Sequence, residues 1–104
     1  MILVNIDYLP GKEFEILDMV KGSTVQSKHL GKDIGSAFKT LVGGELTAYS
    51  EMINEARALA TKKMVQCAEE LGADAVINIR YASSQVMSGA AEVVVYGTAV
   101  KFIK

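Results

Sequence analysis

The sequence predicts an α+β domain in which a layer of helix lies on one β-sheet. Three observations predict it. Apolar residues alternate with polar ones at 2–8 and 75–82, the period of a half-buried strand. They recur every three or four residues across 33–42 and 45–71, the period of an amphipathic helix. At 92–103 they occupy both parities of an extended run, which marks a strand covered on both faces. A chain of 104 residues makes one domain, spanning 1–104.

In the first strand Ile2, Val4, Ile6 and Tyr8 share one side, Asn5 and Asp7 the other, and Pro10-Gly11 turns the chain. Residues 13–25 fit neither period cleanly. Lys21-Gly22-Ser23-Thr24-Val25 reads as extended and draws the apolar run before it into a second strand. Ile34, Ala37, Phe38 and Leu41 mark one face of a short helix. Asp33 caps it by accepting from a free backbone N–H, and Gly43-Gly44 ends it.

The long helix runs from Glu45 to Leu71 on a stripe of Leu46, Tyr49, Ile53, Ala56, Ala60, Met64, Cys67 and Leu71, with Gly72 as its stop. It is about 40 Å long at 1.5 Å per residue. A globule of this size has a radius of gyration near ~13 Å, so the helix is expected to overhang its sheet and reach a neighbour. Further on, Ile77, Ile79 and Tyr81 point one way, Asn78 and Arg80 the other. Ser83–Ala91 reads as a loop of small residues, with Ser84, Ser88 and Gly89. In the last strand Val93, Val95 and Ala99 alternate with Val94, Tyr96, Val100 and Phe102. The helices cover one face, and a second subunit is the simplest cover for the other.

Composition supports that reading. Apolar and aromatic residues make up 50% of the chain. Counting Gly in place of Tyr moves this to about 55%, above the roughly 45–50% of ordinary soluble domains. A small domain has little interior in which to place such a surplus. The net charge of -1 argues against nucleic acid, which calls for a basic surplus. No apolar run approaches the ~20 residues of a membrane span, and the N-terminus lacks the basic start of a signal peptide. The one cysteine, Cys67, can form neither an intrachain disulfide nor a multi-cysteine zinc site. A reducing cytoplasm is the expected compartment.

Several segments together form a recognisable pattern. Val20-Lys21-Gly22-Ser23-Thr24-Val25 is followed by Gly31-Lys32-Asp33-Ile34, Gly43-Gly44-Glu45, Tyr49, Ala56-Arg57 and Met64. Gly72-Ala73-Asp74-Ala75-Val76, Arg80, Glu92 and Tyr96-Gly97-Thr98-Ala99-Val100 complete it. The pattern resembles the YbjQ-like family of small prokaryotic proteins, over nearly the whole chain and in the right order. The resemblance implies a two-layer, dodecin-like subunit with a long helix on an antiparallel sheet. It also implies a ring-shaped homopentamer with short strands pairing between subunits. The family carries a provisional heavy-metal-binding label and no assigned chemistry.

Three sets of candidate site residues follow. A metal ion, the one cofactor the label implies, needs Cys or His donors if it is soft or borderline, and the chain offers only Cys67 and His29. Cys67 lies on the apolar stripe and reads as a packed core thiol. His29 reads as an ordinary loop histidine, although one per subunit could form a ring of ligands. An anion site is the second set. Gly31-Lys32 precedes a helix start, where free N–H groups favour negative charge, and Lys28, Ser23 and Thr24 add donors. Asp33 would compete with the anion as the cap, and neither a Walker A motif nor G-x-G-x-x-G is present. The third set is polar: Lys32, Asp33, Glu45, Tyr49, Arg57 and Glu92. Arg57 could pair with Glu45 or Glu92 across subunits and fix their register.

No nucleophile elbow is present, no catalytic residue is assigned, and Met19, Met52 and Met64 read as core filler. The reading that results is a homo-oligomer, not an enzyme, that binds a small ligand or ion at subunit interfaces. The alternatives are a heavy-metal-binding protein using His29 and carboxylates, and an enzyme acting on a small anionic molecule near Lys32, Asp33 and Glu45.

Overall fold

The computed structural model describes residues 1–27 and 44–103, with helix side chains from Thr47 onward. Its elements in chain order are β1 (Ile2–Leu3), β2 (Phe14–Ser27), α1 (Gly44–Glu70), β3 (Ala75–Met87) and β4 (Ala90–Phe102). The short helix expected at 33–42 lies outside the described residues. One four-stranded sheet has the order β1-β3-β4-β2. β2 and β3 both flank β4 antiparallel, whereas β1 pairs parallel with β3. The sheet is therefore mixed, and the expectation of an antiparallel sheet holds only for its three long strands.

The helix packs on β2 and β4 and barely reaches β3. Its buried side is Met52, Ala56, Ala60, Met64 and Ala68, spaced by four residues throughout. This track drifts around the helix axis, because four residues turn more than the 3.6 of one turn. Cys67 and Leu71, expected in the stripe, are exposed. Small residues on the buried track let the helix approach closely. A Cβ placed on Gly22 would overlap the carbonyl oxygen of Ala60 and lie 2.7 Å from the Met64 nitrogen. Gly22 in β2 is thus where backbone meets backbone.

Gly72 stops the helix as expected, at φ +78°. Its N–H donates to the Glu69 carbonyl at 3.0 Å, and the Ala73 N–H to the Ala68 carbonyl at 3.0 Å. These two bonds satisfy carbonyls that the last turn would otherwise leave free.

The sheet is about as long as the helix. The helix has 27 residues and β2 has 14. At about 3.3 Å per residue β2 spans about 46 Å, as long as the ~40 Å helix. The sheet is long because residues 83–87, expected as loop, continue β3, and β4 begins at Ala90. Only Ser88-Gly89 turns the chain, with Gly89 at φ +79°. The subunit measures 57 × 23 × 17 Å, with a radius of gyration of 17.3 Å against the ~13 Å of a compact globule.

A bulge in β3 breaks the expected alternation. Asn78 has φ +58°, and the register steps from Ile77 opposite Thr98 to Arg80 opposite Tyr96. Asparagine tolerates this left-handed conformation better than most residues. The extra residue sends Ile77 to the face away from the helix, where it packs with Leu9, Ala75 and Val100. Ile79 stays on the helix face with Val76, Val93, Val95 and Ala99. The first segment is also shorter as a strand than 2–8. After Leu3 the chain bends, with the Val4 and Ile6 carbonyls accepting from Ile79 at 3.1 Å and Asn78 at 2.8 Å. It then brings Leu9 over the far face.

Candidate functional site

Because β2, β4 and β3 pair in register, each row of three residues shares a face. Counting from the C-terminal end of β4, the rows away from the helix begin Phe14–Phe102, then Ile16–Val100–Ala75 and Met19–Thr98–Ile77. Lys21–Tyr96–Arg80, Ser23–Val94–Ala82 and Val25–Glu92–Ser84 follow. Leu9 and its neighbours seal the inner part of the first rows. From Tyr96 to Glu92 no described segment packs on this face, although Val94 and Glu92 are half-buried and Ala90 at its far end is buried. Met19 is 68% exposed, Val25 58% and Tyr96 41%.

Two hollows flank the bulge. On the uncovered face Met19, Asn78, Arg80, Tyr96, Gly97 and Thr98 line a space of about 340 Å³. Arg80 is anchored there: Nη1 donates to the Asn5 carbonyl at 2.9 Å and to the Ile79 carbonyl at 3.0 Å. The second hollow, about 520 Å³, lies between the first segment and β3 and is lined by Leu3, Val4, Asn5, Ile6, Ile79 and Tyr81. The Tyr81 hydroxyl lies 2.8 Å from the Thr61 hydroxyl of the helix, where either oxygen can donate.

The residues expected to form a site are dispersed. Ser23 sits on the uncovered face, and its carbonyl accepts from the Lys63 ammonium at 3.0 Å. Thr24, next along β2, points to the helix face opposite Val93. Glu45 falls in the first turn of the helix, and Tyr49 is half-buried one turn on. Arg57 is exposed and donates through Nη1 to Asn54 Oδ1 at 2.8 Å, within its own helix. Glu92 is half-buried on the uncovered face, opposite Val25 and Ser84. The sheet lies between Glu92 and the helix that bears Arg57, so one subunit does not bring them together. Lys28, His29, Lys32 and Asp33 lie outside the described residues.

Among the described residues no group of three or more His, Cys, Asp or Glu is placed to hold a metal ion. Met52 and Met64 are core residues as expected, whereas Met19 is not. Sequence reasoning passed over Arg80, Tyr96 and Thr98 as site residues. Their juxtaposition depends on the bulge at Asn78, which spacing along the chain does not announce. No helix among the described residues is long and apolar enough to cross a membrane.

Comparisons with known proteins place the chain among others of the same length. A family model described as "Putative heavy-metal-binding" matches residues 1–103. A UPF0145 protein of Alkaliphilus metalliredigens is 75% identical over 99% of this chain and 100% of its own length. One from Clostridium novyi is 68% identical over the same shares, and one from Thermotoga maritima 56% identical over 100% and 99%. Among solved structures, a Pediococcus pentosaceus protein of unknown function, assigned to the DUF74 family, has the same fold. It has a TM-score of 0.66 at 19% identity and covers 98% of this chain and 97% of its own.

Proposed function

This chain belongs to the YbjQ-like family, also grouped as UPF0145 proteins, and on that premise we propose that it works in the cytoplasm as a ring-forming homo-oligomer, a pentamer, that binds a small ligand or ion between subunits. The observation that carries this reading is the uncovered half of the sheet face away from the helix, with Met19, Val25, Val94 and Tyr96 on it. Met19, Val25 and Tyr96 are exposed there among Lys21, Ser23 and Arg80, a mixed surface of the kind that meets a partner. The partner is a second copy because the sheet also has two unequal outer edges. β2 runs along one side, and the half of β3 beyond β1 runs along the other. Among the described residues no strand pairs with either. Long free edges invite pairing, and a head-to-tail contact between unlike edges closes into a ring when the rotation allows.

Native mass spectrometry of the untagged protein tests this reading. A pentamer is expected, and a monomer at micromolar concentration overturns it. Val94→Asp is expected to release folded monomers, because an unpaired charge in an apolar interface costs several kcal/mol. A pentamer unchanged by Val94→Asp removes this face from the interface.

The family's description favours a heavy metal as the ion. Among the described residues no single-subunit donor group exists, and the same residue repeated around the ring is one arrangement that needs none. His29, the chain's one histidine, is the candidate. Elemental analysis of purified protein and of His29→Ala tests it. Stoichiometric metal lost in the variant supports this reading, and unchanged metal content rejects His29.

A further inference from the structure

We propose that the hollow at Arg80 and Tyr96 is a binding site for a small aromatic carboxylate. The argument starts from the guanidinium. Arginine has five N–H donors, two of them on Nη1. Here Nη1 is held by the Asn5 and Ile79 carbonyls at 2.9 and 3.0 Å. Among the described residues Nε and Nη2 make no hydrogen bond. These two atoms form the side-on fork that matches a carboxylate with two parallel bonds. The carbonyls therefore hold the group in place before any ligand arrives, which reduces the ordering cost of binding.

The strand rows nearest the fork hold two cations and no acid. Lys21, Tyr96 and Arg80 form one row across three strands, so the tyrosine lies between two basic residues in the row. The adjacent rows contain Met19, Thr98 and Ile77 on one side and Ser23, Val94 and Ala82 on the other, and none of these is acidic. An anion is favoured there on electrostatic grounds.

The aromatic part of the ligand follows from the walls. Tyr96 and Met19 are both exposed. A flat ring can stack on the tyrosine, and thioether sulfur makes favourable contacts with aromatic edges. Thr98 and Asn78 supply further donors at the rim. The hollow is open, with about 340 Å³ against its walls, so a bound ring rests on one side and is not enclosed. All these residues belong to one subunit, but Met19 and Tyr96 lie on the face that the proposed assembly covers, so the site is one of the separated subunit and binding is measured where the protein is monomeric.

The test uses the full-length protein with benzoate as the probe, followed by two-dimensional amide NMR and calorimetry. Saturable binding is expected, with shifts centred on Asn78, Arg80 and Tyr96–Thr98. Arg80→Gln is expected to weaken it at least tenfold and Tyr96→Leu about fivefold. Arg80 also anchors the Asn5 loop, so Lys21→Gln, which leaves that anchor intact, is measured beside it and is expected to weaken binding about threefold. Cyclohexanecarboxylate and inorganic phosphate are expected to bind at least fivefold more weakly than benzoate. No saturable shift at 10 mM benzoate overturns the site, as does equal binding by all three variants. Equal binding of phosphate overturns the aromatic assignment.

Discussion

β4 passes through two environments within 13 residues. At its C-terminal end, Val100 and Phe102 face Leu9, Phe14, Ala75 and Ile77, while Ala99 faces the helix side, so both faces are covered. Toward its N-terminal end, Val93 and Val95 lie beneath the helix at 1% and 0% exposure, but Val94 and Tyr96 face a side that no described segment covers. The residue types hardly differ between the two ends. The cover differs, because one end has the loop at 4–13 and the other has nothing among the described residues. An apolar run therefore shows that a face is to be buried, and only the fold shows whether its own subunit buries it.

The sharpest way to break this comparison is a pair of substitutions one residue apart. Val95→Asp places a charge under the helix with no partner, and a loss of about 4 kcal/mol or an unfolded subunit is expected. Val94→Asp faces the other way and is expected to leave the subunit folded, with less than about 1 kcal/mol lost. Circular dichroism melts of both proteins, recorded where each is monomeric, decide. Equal losses would mean that the two faces are buried alike.

The helix side has its own weak point at Gly22. In Gly22→Val the new side chain meets the Ala60 carbonyl and the Met64 nitrogen, backbone atoms that cannot swing aside. A loss of about 3 kcal/mol is expected. In a domain of this size that lowers Tm by roughly 12–24 °C.

How much of this was legible in the sequence depended on which physical signal each element had. The long helix and its stop at Gly72 were plain, because apolar residues recur every three or four positions up to one glycine, which takes φ +78°. The second strand was also legible from Gly22-Ser23-Thr24-Val25. Three things were not. The far half of β3 is made of small polar residues, Ser83, Ser84 and Gln85, which look like loop until β4 pairs with them. The buried track of the helix could not be picked out, because tracks through Ala56, Ala60 and Met64 end equally well in Cys67 or in Ala68. The bulge at Asn78 had no sequence signature, so the row that joins Arg80 to Tyr96 stayed hidden. Of the expected site residues, Ser23 and Glu92 share the face away from the helix, in adjacent rows, whereas Thr24 faces the helix and Arg57 lies on it.

A milder contrast uses the methionines. Met64 is fully buried beside Gly22, and Met64→Ala is expected to cost about 2.5 kcal/mol through lost contacts and a cavity. Met19, 68% exposed on the uncovered side, is expected to lose less than about 0.5 kcal/mol on the same change in the monomer. If Met19→Ala instead matches Met64→Ala in urea titrations of the monomer, the far face is covered within the subunit.

The smallest effect concerns how the covered end is closed. Asp74 follows the helix stop, and its N–H donates to the Val100 carbonyl at 2.8 Å. Its carboxylate Oδ2 accepts from the Phe102 N–H at 2.8 Å and lies 3.9 Å from the Lys101 ammonium. The two contacts differ in kind. The Phe102 N–H bond is partly buried, whereas the Lys101 pair is half exposed and screened. Asp74→Ala is therefore expected to cost about 1–1.5 kcal/mol, set by the unsatisfied N–H. Lys101→Ala is expected to cost less than about 0.5 kcal/mol. Amide hydrogen exchange separates the two: Phe102 should lose protection in Asp74→Ala and keep it in Lys101→Ala. If both variants lose protection equally, the ion pair and not the backbone bond closes this end.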